Sequence, residues 1–233
     1  MIEIRNLTKV FTTRGRRHVV FENLNLTVRD KMSVAILGRN GAGKSTLLQI
    51  LAGTMDPTSG EVITNDTISW PVGFAGSFHQ ELTGAQNTKF LARVYGVDTD
   101  EMRRFVEDFA ELGEHFYLPL RTYSSGMRGR LAFGTSMAIK FDYYLVDEST
   151  AAGDKSFRDK AEATFLERMS NAGSFVVSHS MRQIQALCDV ALVLENGEIT
   201  YYEDVDEAIE VHEANMERAG EERKRKMRVG LSR

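Results

Sequence analysis

A chain of 233 residues, 42% of them apolar, can bury one α/β core, or such a core carrying a small helical insert. Its 29 Lys and Arg against 33 Asp and Glu leave a net charge of −4, which argues against a general polyanion binder, nucleic acid included. The single Cys188 excludes an internal disulfide framework and suits a reducing compartment; no apolar run approaches the roughly 20 residues that span a bilayer, and Met1-Ile2-Glu3 opens no signal peptide.

Apolar and polar residues alternate over Ile2 to Val10 and Val20 to Val28, predicting two half-buried strands joined by a basic loop from Thr12 to His18. Ser33 to Leu37 is a short apolar run ending at Gly38, the pattern of a strand buried on both faces. A helix is expected from Lys44 to about Ala52, stopped by Gly53, with brief strands at Glu61 to Ile63 and Ile68 to Trp70. From about Gln86 the periodicity turns helical, with Phe90, Leu91 and Val94 and then Phe105, Val106 and Phe109 at helical spacing. Ser125 precedes a further helix to about Ile139, so residues 86–139 read as a helical insert in a single domain spanning 1–233. Strands at Tyr143 to Val146 and Ser174 to Ser178 bracket a helix from Lys155 to Met169. Val190 to Leu194 and Ile199 to Tyr202 flank Asn196-Gly197, a strong hairpin signal. A last helix from about Val205 leads into a basic tail, 220–233.

Three motifs carry chemistry. Gly38-Arg39-Asn40-Gly41-Ala42-Gly43-Lys44-Ser45, followed by Thr46, satisfies G-x-x-x-x-G-K-[ST] after a strand and before a helix. Such a loop turns backbone N–H groups onto phosphate oxygens, with Lys44 reaching the β- and γ-phosphates and Ser45 a Mg²⁺ ion. Asp147 and Glu148 end an apolar strand: Asp147 suits a role holding Mg²⁺ and Glu148 a role as general base toward water. His179, after the strand that follows, is placed to sense a γ-phosphate.

With Ser124-Ser125-Gly126-Met127 before a helix and Ala151-Ala152-Gly153-Asp154 after the acidic pair, the ordered set resembles that of an ABC ATPase over essentially the whole chain. The resemblance implies an α/β P-loop NTPase fold with a mostly parallel core sheet, an N-terminal antiparallel β part and a helical insert. It implies ATP and Mg²⁺, with Phe11 stacking on adenine. Ser124, Ser125, Gly126 and Met127 would complete the ATP site of a second copy, and the segment ending at Asp154 would link the two sites. His79 aligns with the family's membrane-coupling glutamine and Gln80 stands one place off; either would serve.

Departures narrow the branch. Tyr123, Ser125 and Met127 replace the usual leucine, glycine and glutamine, and with Ile68 to Gly73, Glu81 to Gly84 and Phe141 to Tyr144 they resemble the capsular polysaccharide export ATPases of Gram-negative bacteria. That branch implies a homodimer on the cytoplasmic face of the inner membrane, bound to two copies of a polytopic permease and, through it, to periplasmic and outer-membrane export components. The alternatives are an O-antigen or teichoic-acid exporter's ATPase, or a soluble ABC protein outside transport. Many O-antigen relatives carry an added carbohydrate-binding domain, for which this length leaves no room. No Asn-Lys-x-Asp guanine-reading motif occurs.

Overall fold

A computed structural model describes residues 1–147 and 154–230, with residues 222–230 by backbone alone. The chain divides into two compact units, one comprising Met1–Asn65 with Ser174 onward, the other Asp66–Gly173.

The first unit holds two sheets. β1 (Ile2–Thr13) pairs antiparallel with β2 (Arg16–Val28) and β4 (Ser59–Thr64). The expected basic loop is much shorter than its composition suggests. Only Arg14 and Gly15 turn the chain, both at positive φ, and Arg16, Arg17 and His18 already pair with Thr13, Thr12 and Phe11. Two consecutive left-handed residues match the right-handed twist of the flanking strands, so the hairpin runs almost to its tip. In the second sheet β3 (Ser33–Gly38) lies between β7 (Gly173–Val177) and β8 (Val190–Glu195), parallel to both, and β8 turns back antiparallel into β9 (Glu198–Tyr202) through Asn196-Gly197. Every residue of β3 is buried, which is why its sequence does not alternate. Helix α1 (Lys44–Leu51) follows β3.

The second unit carries β5 (Ile68–Pro71) parallel to β6 (Tyr143–Asp147), with α2 (Gly84–Val94), α3 (Thr99–Ala110), two 3₁₀ turns at Gly113–Tyr117 and Leu120–Thr122, α4 (Ser125–Ala138) and α5 (Lys155–Met169). Phe109 stacks on Phe133 at 5.9 Å and meets Phe157 edge-on at 5.5 Å, joining α3, α4 and α5. On α2 the buried face is Ala85, Thr88, Leu91 and Ala92, whereas Phe90 and Val94 are 54% and 59% exposed.

In the first unit, α6 (Met181–Leu187), too short to signal itself by periodicity, starts from a Ser180 cap, and the long α7 (Val205–Gly230) packs on β8 and β3. Its backbone stays helical through the basic stretch.

Candidate functional site

The turn from β3 to α1 is a wrapped loop held by its own backbone. The Ala42 N–H donates to Arg39 O at 3.0 Å, and Leu47 N–H to Gly43 O at 2.9 Å. Lys44 is buried, and its ammonium donates to Gly38 O at 2.7 Å and Arg39 O at 3.1 Å. An ammonium drawn back over the loop it belongs to lies at the helix N-terminus, where partial positive charge and free N–H groups favour a phosphate. Gly43 has φ of 110°, and a Cβ there would lie 2.3 Å from Val20 Cγ1. Glycine is therefore dictated by the chain's own packing.

Beside this loop lies a cavity of about 380 Å³, lined by His18, Val19 and Val20 of β2, Arg39 to Ala42, and the Glu195-Asn196-Gly197 turn. Asn40 and Gly41 are exposed along the loop; Ser45 is exposed and Thr46 half-buried on the first turn of α1. Phe11, 38% exposed, stands on the hairpin across from His18, and Lys9 Nζ sits 5.0 Å from the ring centroid. Phe11 does not line the cavity. His179 is exposed in the tight turn between β7 and α6. There the Ser178 hydroxyl donates to Gln183 Oε1 at 2.8 Å and accepts the Ser180 N–H at 3.0 Å. These bonds fix the backbone around the histidine.

The remaining candidates belong to the second unit. Asp147 is the half-buried last residue of β6. Glu148 and Ala151-Ala152-Gly153 lie outside the described residues. Ser124 caps α4, its hydroxyl accepting the Met127 N–H at 3.2 Å. Ser124 and Ser125 are exposed. A Cβ on Gly126 would meet nothing nearer than Ser124 Oγ at 3.9 Å. Among the described residues, then, nothing in the chain itself requires glycine there.

Tyr123, the departure beside this cap, is an anchor. It is buried, its hydroxyl donates to His115 O at 2.7 Å, and a Cβ on Gly84 would lie 2.6 Å from the same oxygen. One phenol ties the turn before α4 to the start of α2, a contact leucine cannot make. Burial pushes its pKa up to about 12.

Asp154 caps α5, accepting the Phe157 N–H at 3.0 Å, and pairs with Arg130 of α4 at 2.6 Å. The capping N–H, then the Arg130 charge, hold its carboxyl below the usual range. Arg130 also lies 4.7 Å over the Phe157 ring. Asp154 is thus tied to the helix that Ser124 caps.

His79 and Gln80 are both exposed in the stretch before α2. His79 Nδ1 accepts the Glu81 N–H at 3.2 Å, and its backbone N–H donates to Asn87 Oδ1 at 2.8 Å. Gln80 O accepts from Arg121 N at 3.0 Å. Buried Asn87, which sequence reasoning missed, organises this loop by donating to His79 O, Leu82 O and Thr83 O. Only its polarity on an otherwise buried helix face hinted at that role.

Glu195 and His212 were also missed. Glu195 follows the β8 residue that pairs with Gly38, and its Oε1 stands 3.9 Å from Arg39 Nη1. His212 is buried on α7, where burial, then the charge of Lys44, lower its pKa.

The model of the family described as "ABC transporter" matches residues 21–151, more than half the chain. The polysialic acid transport ATP-binding protein KpsT of Escherichia coli is 53% identical over 90% of this chain and 95% of its own length. The capsule polysaccharide export ATP-binding protein CtrD of Neisseria meningitidis serogroup B is 42% identical over 91% and 98%. Among solved structures, the dimeric ATP-binding cassette MJ0796 bound to ADP and Pi superposes with a TM-score of 0.70 at 21% identity, covering 86% of this chain and 98% of that one, a likeness of fold. By the family model and these relatives, the chain belongs to the ABC transporter family as an ATP-hydrolysing subunit, in the branch of KpsT and CtrD.

Proposed function

We propose that this chain powers the export of lipid-linked capsular polysaccharide across the inner membrane, as one of two identical ATPase subunits bound to two copies of a permease. The substrate class rests on one observation: 53% identity, over nearly the full length of both chains, to a polysialic acid transport protein. An O-antigen export ATP-binding protein of Klebsiella pneumoniae is more distant, at 35%.

The work divides among the chain's residues. Gly38, Arg39, Asn40, Gly41, Ala42, Gly43 and Thr46 offer backbone N–H groups to the phosphates, and Lys44 turns from its loop carbonyls to the β- and γ-phosphates. Phe11 stacks on the adenine through its open face. The Ser45 hydroxyl and the Asp147 carboxylate are hard oxygen ligands suited to Mg²⁺, which, when bound, neutralises charge developing on the transferred phosphoryl group. Glu148 accepts the proton of the attacking water, and His179 holds the γ-phosphate side. The exposed hydroxyls of Ser124 and Ser125 and the open space at Gly126 present a helix N-terminus to the γ-phosphate held by the partner copy. The need for glycine comes from that phosphate rather than from this chain. ATP closes the pair, hydrolysis removes the shared contacts, and Asp154, held by Arg130, ties the linking segment to the signature helix.

The chain acts as one ATPase domain over 1–233, with 86–139 as its helical insert and 220–233 as a basic tail. Exposed Phe90 and Val94 on α2 and Tyr95 just after it, close in sequence to His79 and Gln80, suit contact with an apolar permease surface. No described helix is long and apolar enough to cross a membrane. In this reading the permease holds the subunit at the cytoplasmic face and connects it to periplasmic and outer-membrane components.

The test is complementation of a capsule-forming strain lacking its own export ATPase. The wild-type chain should restore surface polysaccharide, and the Glu148→Gln protein should leave polymer inside the cell. Normal surface display by the Glu148→Gln cells would refute the assignment.

A further inference from the structure

Among the described residues, three buried side-chain atoms of the first unit have no hydrogen-bond partner, Ser174 Oγ and two that share one neighbourhood: His212 Nδ1 on α7 and Glu195 Oε2 at the end of β8. An unpaired buried acceptor or donor is costly enough that such a pair calls for a reason. Their surroundings supply one. Leu194, the residue before Glu195, pairs with Gly38, and a Cβ on Gly38 would lie 2.7 Å from Leu194 O, so the end of β8 and the start of the phosphate loop move together. The other oxygen of Glu195 faces Arg39 of that loop at 3.9 Å. The charged groups facing His212 are Lys44 from α1, His179 from the turn after β7, Glu195 from β8 and Glu213 from its own helix.

We propose that His212 is a positioning residue of the nucleotide site, holding Glu195 and through it Arg39, and that it takes up a proton from solvent when nucleoside triphosphate fills the phosphate loop. Without nucleotide, burial and the positive charge of Lys44 keep the ring neutral. A triphosphate laid against Lys44 brings several negative charges into the same low-dielectric region. The cation that opposed protonation is then offset, while Glu195 and Glu213 remain to favour it. The imidazolium formed gains Glu195 as a charge-assisted partner, and the Glu195 carboxylate becomes fixed between His212 and Arg39. In this way α7, outside every motif, becomes part of the site.

The sign follows from linkage. A proton taken up on binding makes the affinity higher at low pH and lower as pH rises through the range in which His212 titrates.

The experiment is calorimetric titration of the full-length chain with AMP-PNP, in buffers of different ionisation heat, from pH 6 to 8. Protons exchanged by the nucleotide itself are common to all variants, so differences between proteins are read. Wild type should take up about half a proton more than His212→Gln near pH 7. Its affinity should fall about fivefold more over that span than the variant's, the change that an uptake of this size integrates to. Equal uptake and equal slope in wild type and His212→Gln would overturn the proposal. If His212→Gln fails to fold by circular dichroism, Glu195→Gln decides: reduced uptake supports the coupling, unchanged uptake overturns it. The inference rests on ATP occupying the phosphate loop. Failure of wild type to bind AMP-PNP would sink that reading, and the inference with it, an outcome distinct from binding without the proton difference.

Discussion

At Gly43 an added Cβ would lie 2.3 Å from Val20 Cγ1, whereas at Gly126 it would find only Ser124 Oγ, at 3.9 Å. Both glycines belong to motifs that touch ATP phosphates in the reading above, yet the phosphate loop is over-determined by its own unit and the signature turn is not. The loop's backbone, its lysine and the β2 strand beside it already demand the residues found there. The turn is exposed, capped and roomy, as expected of a surface whose constraint arrives with a partner. A motif of the first kind fails by misfolding; one of the second fails only in assembly.

Substitution at the two glycines should break or keep this contrast most visibly. Gly43→Ala adds a clash and a left-handed residue with a Cβ, and should cost about 2–4 kcal/mol in unfolding free energy while abolishing nucleotide binding by the isolated chain. Gly126→Ala replaces glycine within a helix and should raise stability by up to ~1 kcal/mol, yet lower ATP turnover at least about tenfold while a single chain still binds nucleotide. Thermal melts and turnover measured side by side check both; a destabilised Gly126→Ala protein would erase the distinction.

Tyr123 sharpens the comparison, because it is where the signature region does depend on its own unit. Tyr123→Phe leaves His115 O without that donor and should cost about 1 kcal/mol, lowering the melting temperature by roughly 2–4 °C. The raised pKa adds a pH dependence. A phenol whose folded pKa stands near 12 keeps its proton while the unfolded chain loses it near 10, so its stabilisation is full below pH 10 and lost as pH rises toward 12. Melts between pH 8 and 11 should fall more steeply for wild type than for Tyr123→Phe.

Smaller effects follow at the surface. Arg130→Gln removes the pair with Asp154, whose side chain is largely exposed, so stability should change by less than about 1 kcal/mol. Turnover should drop further than that figure suggests, because Asp154 loses its tie to α4; equal losses in both would make Arg130 merely structural. The Cys188 thiol, pushed up to about 12 by burial and then by the Asp189 charge, should react slowly with iodoacetamide at pH 8 in the folded chain and quickly once unfolded.

Local pattern read the elements well where local physics decides them. The fully apolar β3, the Asn196-Gly197 hairpin and the helix from Lys155 to Met169 all appear where composition places them. It misread the Arg14 to His18 segment, because a left-handed Arg-Gly turn is a backbone property that charge does not announce. Helical spacing placed Phe90 and Val94 on a helix without saying which stripe is buried, and both are exposed. The segments that marked the capsule branch proved to be packing partners. Trp70 meets Phe141 edge-on at 5.5 Å, and Asp142 accepts from Thr67 N at 2.8 Å and Thr67 Oγ1 at 2.7 Å. Their co-occurrence was legible as a pattern, and only the structure shows it as one aromatic and polar cluster.

Groups carried by contiguous residues were therefore legible in the sequence alone: the glycine-rich loop before α1, the acid at the end of β6, the histidine after β7 and the serine turn before α4. Spacing along one strand or one helix turn suffices to align such groups. The tertiary structure alone decided that Tyr123 anchors that turn, that Asn87 holds the loop around His79, and that α7 delivers His212 to Glu195 and the neighbourhood of Lys44. Those partners lie many residues apart, and no local preference brings them together; the packing of a helix on a sheet does.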